Sequence, residues 1–311
     1  MKKIFKRILQ GILVLFVLLN IIVMFHAYKF THHYEPNEIV MKTQDQKSKW
    51  DITKEMLFGM NMAKRTNVAP DSTFSKVILT TKSGLKLDAW FISVPNSKGS
   101  VAMFHGHAGN KSGILTEAAS FQKLGYNTLL LDFRAHGNSE GNTCSIGFFE
   151  GEDIKLAYDY LQAKGEKNIV LYGISLGAST ITKGIYDYEM TPAKIILEMP
   201  FGTLPGAVSG RVKMMGLPPE PVSTLLTFWG GAMNGFWAFN MKPQEYAKKI
   251  KCPTLIQRGK LDTRVTDEEV QAIFTNIGTS KKLNTYETSG HQSLCANEHE
   301  KWMLEVSTFL Q

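Results

Sequence analysis

The pentapeptide Gly173-Ile174-Ser175-Leu176-Gly177 follows the apolar run Asn168 to Tyr172 and leads straight into small residues with helical spacing. A strand, a sharp turn and a helix in so few residues leave no room for side chains beside the turn, and glycine stands on both flanks. The turn lifts the Ser175 hydroxyl to where a base can reach it. This is the pattern of a nucleophile elbow, which needs a strand before the serine and a helix after it. It commits the centre of the chain to an α/β architecture.

The spacing on either side agrees. Apolar strands are expected at Ser100 to His105, Asn127 to Asp132, Asn168 to Tyr172, Lys194 to Glu198, Thr254 to Gln257 and Leu283 to Tyr286, with helix-length segments between them. Lys76 to Thr81 and Leu85 to Val94, parted by Ser83-Gly84, read as a hairpin ahead of the series. Ile154, Ala157, Tyr158 and Leu161 give one apolar helical stripe just before the elbow strand. The expected fold is α/β, a mostly parallel twisted sheet with helices on both faces. Residues 201–249 break the alternation with glycine, proline, tryptophan and methionine, and read as a small cap between the sixth and seventh strands.

Ile8 to Tyr28 carries no formal charge over 21 residues. As a helix at about 1.5 Å per residue it reaches roughly 30 Å, enough to cross a bilayer. Lys2, Lys3, Lys6 and Arg7 precede it, while Glu35 and Glu38 follow, so the positive-inside rule puts the amino terminus in the cytoplasm and the body outside. A cleaved signal peptide is the competing reading, but no small-x-small site ends the run. The expected organisation is a stub and transmembrane anchor in residues 1–34, a connector in 35–74, and a body in 75–311. Within the connector, Gln46 to Arg65 reads as a helix whose Trp50, Met56, Leu57 and Met60 share a face that packs on the body.

The formal net charge is +7. Five of the 35 basic residues lie in 1–34 with no acid beside them, leaving 30 against 28 acidic groups elsewhere, so the body is nearly neutral. That excludes the electrostatic case for nucleic acid, which needs clustered basic groups on a folded face. Cys144, Cys252 and Cys295 are odd in number and widely spaced, which argues for free thiols over a disulfide framework. The sequon Asn110-Lys111-Ser112 falls inside a candidate active-site loop and is not read as a glycosylation site.

A serine hydroxyl is a weak nucleophile without a base, and the base needs an acid to fix its tautomer. Asp262, in Gly259-Lys260-Leu261-Asp262, stands just past the carboxyl end of a strand; Glu198, at the end of its own strand, is the alternative acid. His291, in Ser289-Gly290-His291-Gln292, follows the last strand on a loop able to reach back over the sheet. The chain order Ser175, Asp262, His291 is that of an α/β-hydrolase triad. His105-Gly106-His107-Ala108-Gly109-Asn110 follows the third strand, and the backbone amides of His107 and Leu176 are the expected oxyanion donors. His105-x-His107 has no further ligand cluster nearby in sequence, so no metal is expected. Asn110 stands where a phosphate loop needs glycine before its lysine, so no nucleotide cofactor is expected either.

Taken together, the elbow, the His-Gly-x-Ala-Gly-Asn loop, Asp132-Phe133-Arg134 with Gly137-Asn138-Ser139-Glu140-Gly141, Gly259 to Asp262 and Ser289-Gly290-His291 resemble the α/β-hydrolase family over roughly Ser75 to Gln311. The nearest likeness is the serine aminopeptidase-like branch that carries one amino-terminal membrane helix, whose loop commonly reads His-Gly-Asn-Ala-Gly-Asn; here His107 replaces the asparagine. The resemblance implies that Asp132 and Arg134 form an ion pair bracing the loop. It also implies a membrane-anchored serine hydrolase acting on esters or thioesters through an acyl-enzyme, without cofactor. Phe228, Trp229, Phe236, Trp237, Met214 and Met215 of the cap are expected either to line an apolar acyl pocket or to pack on the sheet. A peptidase or acyltransferase on the same triad, or a non-catalytic binding module, are the alternatives.

Overall fold

The computed structural model describes residues 2–311. Ten strands, β1 His33–Tyr34, β2 Met62–Ala63, β3 Ser75–Thr80, β4 Lys86–Ile92, β5 Ser100–Phe104, β6 Asn127–Leu131, β7 Ile169–Ile174, β8 Lys194–Glu198, β9 Thr254–Gly259 and β10 Lys281–Tyr286, alternate with eleven α-helices. The helices are α1 Lys2–Thr31, α2 Lys49–Phe58, α3 Leu115–Lys123, α4 Gly151–Ala163, α5 Leu176–Tyr188, α6 Leu204–Met214, α7 Val222–Met233, α8 Pro243–Tyr246, α9 Asp267–Asn276, α10 Leu294–Asn297 and α11 His299–Leu310. Eight strands form one sheet in the order β10-β9-β8-β7-β5-β6-β4-β3. Only β4 runs antiparallel to its neighbours. The expected fold class and every expected sheet strand are present.

Side chains of the central strands alternate between two cores, because successive Cβ atoms of a strand point to opposite faces. Ala102, Phe104, Leu129, Leu131 and Leu171 pack with Ile154, Ala157 and Ile181 of α4 and α5. Val101, Met103, Leu130, Val170 and Tyr172 pack with Ala118 and Phe121 of α3 and Trp302 of α11. Both faces are covered, so the parallel strands read as continuous apolar runs. The three cysteines are buried and free.

Helix α1 is 30 residues long. Its first part exposes Ile4, Phe5, Ile8 and Leu9 through Leu18. Its last turns dock on the body through Val23, Ala27 and Thr31, spaced four apart on one face. Its partner there is α7, whose Trp229 indole N–H donates to Asn20 Oδ1 at 3.1 Å. The chain then pairs β1 with β2, and His33 N–H donates to the Asn142 carbonyl at 2.7 Å.

The connector departs from expectation. Helix α2 is only ten residues, started by a Ser48–Asp51 capping box and ended at Gly59 with φ +76°. None of its residues is buried, and Trp50 and Met56 are 62% and 71% exposed. Its apolar side does not pack on the body; Phe58 meets Phe25 of α1 edge-to-face instead.

Candidate functional site

Ser175 sits between β7 and α5 at φ +52°. That left-handed conformation is strained for a serine and persists only where the surroundings impose it. The glycines make it possible. A Cβ on Gly173 would lie 2.5 Å from the Gly177 carbonyl carbon, and one on Gly177 would lie 2.3 Å from the Phe104 carbonyl oxygen. The Ser175 N–H donates to the Glu198 carbonyl at 2.8 Å, which fixes the turn to β8.

Two loops at the carboxyl ends of β9 and β10 bring the other candidates in. The Lys260 N–H donates to the Tyr286 carbonyl at 2.8 Å and the Leu261 N–H to the Ser289 carbonyl at 2.9 Å. His291 Nε2 lies 2.9 Å from Ser175 Oγ, and His291 Nδ1 lies 2.7 Å from Asp262 Oδ2. Because a carboxylate only accepts, Nδ1 carries the proton and Nε2 is left to accept from the serine hydroxyl. Asp262 Oδ1 takes the Arg264 and Val265 N–H groups at 2.8 and 3.1 Å. Burial raises the Asp262 pKa, but the His291 hydrogen bond, the imidazole's charge and these amides outweigh it, so the carboxyl stays below its ordinary value.

Glu198, the alternative acid, is elsewhere in character. It is fully buried, accepts from the Trp302 indole N–H at 2.6 Å and from Gln257 Nε2 at 3.1 Å, and burial with the neighbouring Glu117 charge pushes its pKa up to about 8. A carboxyl that stays protonated at neutral pH cannot stabilise an imidazolium.

His107 and Leu176 border the same cleft as Ser175 and His291. Leu176 opens α5, so its N–H has no acceptor within the helix. Beyond His107 the loop turns through Ala108 at φ +56°, whose N–H is taken by His136 Nε2 at 3.2 Å. Asp132 braces the loop from below, but its ion-pair partner is Lys111 and not Arg134. Asp132 accepts from Lys111 Nζ and from the Lys111, Asn138 and Asn67 nitrogens at 2.5 to 2.9 Å. The fully buried Lys111 also pairs with Asp88 at 2.7 Å. Arg134 instead pairs with Asp153 and Glu152 of α4, whose carboxylates match its fork where Asp132 is already filled. Asn110 of the sequon is 3% exposed and donates to the Arg65 and Thr66 carbonyls, so its amide is closed to modification in the folded chain.

The cleft is narrow, ≈ 40 Å³, and its walls differ from expectation. Ile146, Phe201, Leu204 and Val208 line it together with Arg211 and Phe30. None of the six expected cap side chains does: Phe236 stacks on Phe148 at 4.5 Å, while Met214, Met215, Phe228 and Trp237 are exposed. Phe30 belongs to the last turn of α1, stacks on the His107 ring at 4.4 Å and has the Arg211 guanidinium 4.5 Å above its centroid. Nothing in the sequence marked it, since one aromatic residue at the end of an apolar helix has no pattern of its own. His33, likewise unmarked, meets His107 and His136, with one ring nitrogen of each within 4.8 Å of the others. The reading of His105-x-His107 as an isolated pair missed this group, because two of its members come from distant segments.

Residues 95–227 match the family described as serine aminopeptidase, S33. An esterase of Pyrococcus furiosus superposes with a TM-score of 0.66 at 24% identity, over 81% of this chain and 98% of that one. The chain has the α/β-hydrolase fold. The uncharacterized protein YqkD of Bacillus subtilis is 24% identical to this chain over 237 residues, 75% of this chain and 78% of its own length. Lysophosphatidylserine lipase ABHD12 of Danio rerio is 25% identical over 258 residues, 75% of this chain and 64% of the lipase. The long apolar α1 is a candidate membrane anchor.

Proposed function

We propose that this protein is a membrane-anchored serine esterase that cleaves acyl esters or thioesters of amphiphiles drawn from the bilayer. The observation that carries the reaction type is the chain of contacts from Ser175 through His291 to Asp262, at 2.9 and 2.7 Å. In this reading His291 Nε2 takes the Ser175 proton as Oγ attacks the acyl carbon. Asp262 holds the imidazole tautomer and stabilises its charge. The tetrahedral oxyanion is met by the His107 and Leu176 N–H groups, a donor of this kind contributing about 3 kcal/mol. His291 then protonates the leaving group, and water hydrolyses the acyl-enzyme by the reverse proton path.

The anchor supports the substrate class. A 21-residue span is needed to cross the bilayer, yet its carboxyl half is the part that packs on α7. Helix α7 therefore sits at membrane depth, and its sequence, Val222 to Met233, carries no charge. Phe30, continuing α1, forms one wall of the cleft, so the acyl chain enters beside the anchor as Phe30 and α6 yield. Arg211 and Arg264 also line the cleft, and neither has a carboxylate partner among the described residues. Half-buried Arg211, whose pKa burial lowers to about 10, fits an anionic group on the substrate. The lipid named for the zebrafish relative is of that chemistry. By the positive-inside rule, the basic flank of α1 supports an amino terminus in the cytoplasm and a body outside.

Fluorophosphonate labelling of the full-length protein in detergent tests the nucleophile without a known substrate. Labelling is expected in the wild type and lost in Ser175→Ala and His291→Ala; equal labelling of Ser175→Ala refutes the assignment. An acyl-ester panel with anionic and neutral headgroups tests the substrate class. Arg211→Gln should lower kcat/KM for the anionic members by about tenfold or more and spare the neutral ones. A uniform effect across the panel rules out the anion-binding role.

A further inference from the structure

His33, His107 and His136 converge from three segments: β1 just after the membrane helix, the oxyanion loop, and the turn after β6. His33 and His136 are 3% and 1% exposed. Each commits Nδ1 to a main-chain carbonyl, that of Ala135 and of Arg134, both at 2.9 Å. A carbonyl only accepts, so in both rings Nδ1 holds the proton and Nε2 presents a lone pair. The His107 ring stacks on Phe30 with centroids 4.4 Å apart. Its Nε2 and that of His33 are buried without any partner, and His136 Nε2 has only the Ala108 N–H at 3.2 Å.

Buried polar atoms are almost always paired, and two unpaired imidazole nitrogens facing a third need a reason. Another ring cannot supply it: with Nδ1 protonated, His33 and His136 both present acceptors at Nε2, and two acceptors do not pair. A cation that accepts three nitrogen lone pairs does. The Nδ1–H to carbonyl contact is also the one that fixes the tautomer of metal-ligating histidines.

We propose that His33, His107 and His136 form a tris-imidazole site for a divalent transition ion of the zinc class, with a fourth position open to water. Three neutral imidazoles suit zinc, copper or nickel and do not suit magnesium or calcium. Tetrahedral bonds of ~2.1 Å place ligand nitrogens roughly 3.4 Å apart, so rings now within 4.8 Å close on an ion by shifts of about 1 Å. The ion clamps the end of the membrane helix to the loop whose His107 amide borders the cleft. It acts by positioning and takes no part in the acyl transfer.

The test uses untagged full-length protein in detergent, stripped with chelator and titrated with Zn2+ alone. One equivalent should bind, with a rise in melting temperature on the order of 5 °C at saturating zinc. Co2+ in its place should give the intense visible bands of a tetrahedral site. His33→Phe, which keeps an aromatic ring against His107 and His136, should lose the stoichiometric ion, the melting shift and the bands; His33→Asn serves if the phenylalanine variant does not fold. No stoichiometric ion in the wild type, or equal binding by a folded His33 variant, overturns the proposal. Fluorophosphonate labelling of the stripped wild type reads the serine separately, so failure of the metal site and failure of the esterase reading are distinguishable.

Discussion

Gly177→Ala isolates the geometry on which the elbow depends. The added methyl carbon would stand 2.3 Å from the Phe104 carbonyl oxygen and 2.8 Å from its carbon. Phe104 cannot retreat, because β5 is held in register between β6 and β7. The first turn of α5 must therefore move outward by about 1 Å to restore ordinary contact of about 3.5 Å. That displacement takes Ser175 Oγ from 2.9 Å to beyond hydrogen-bond range of His291. Overpacking of this kind costs about 1–3 kcal/mol, and a 1 Å misplacement of a reacting group costs about 10²-fold in rate. The assay is the rate of fluorophosphonate labelling, read beside the melting temperature. Gly230→Ala in α7 is the control: no atom lies within 4 Å of its added carbon, and alanine in a helix is favoured over glycine by about 0.5–1 kcal/mol. Wild-type labelling and an unchanged melting temperature in Gly177→Ala would refute the claim that contact with Phe104 sets the serine's position.

Two further substitutions separate roles within the site. Asp262→Asn should leave the fold and KM nearly unchanged and lower kcat by about 10³–10⁴-fold, since the amide stabilises the wrong tautomer of His291; steady-state kinetics on any hydrolysed ester checks this. Glu198→Gln addresses pH. With a folded-state pKa raised to about 8 from 4.5, the buried carboxyl keeps its proton where the unfolded chain has released it. Its contribution to stability is present below about pH 4.5 and is lost as pH rises through 8, by on the order of a few kcal/mol. Melting temperatures of wild type and variant should diverge in favour of glutamine between pH 5 and 9, and parallel curves would show that Glu198 ionises freely in the fold.

Much of this protein is legible in its sequence because the signals are local. Period-two and continuous apolar runs gave the sheet strands, since strand side chains alternate between two covered faces. Gly173 and Gly177 betrayed the elbow, because only glycine tolerates backbone at 2.5 Å or less. Ser175, Asp262 and His291 were found by their positions after strands, and the structure brings those three together. What sequence could not decide are contacts between segments that carry no pattern. The resemblance implied an Asp132–Arg134 pair, but Lys111 and Arg134 are equally charged and only burial assigns Lys111 to Asp132. The cap aromatics could line a pocket or pack on the sheet, because composition does not say which way they face, and the wall went to Phe30. Nor did three histidines from residues 33, 107 and 136 announce a cluster, because nothing short of the folded chain brings β1, the loop after β5 and the turn after β6 to one point. The sequence alone determined the strand and helix pattern and the order of the reactive groups, through rules acting within a few residues. Partner choice, pocket walls and the histidine cluster were decided only by tertiary packing, where competition among distant groups for burial and hydrogen bonds is settled.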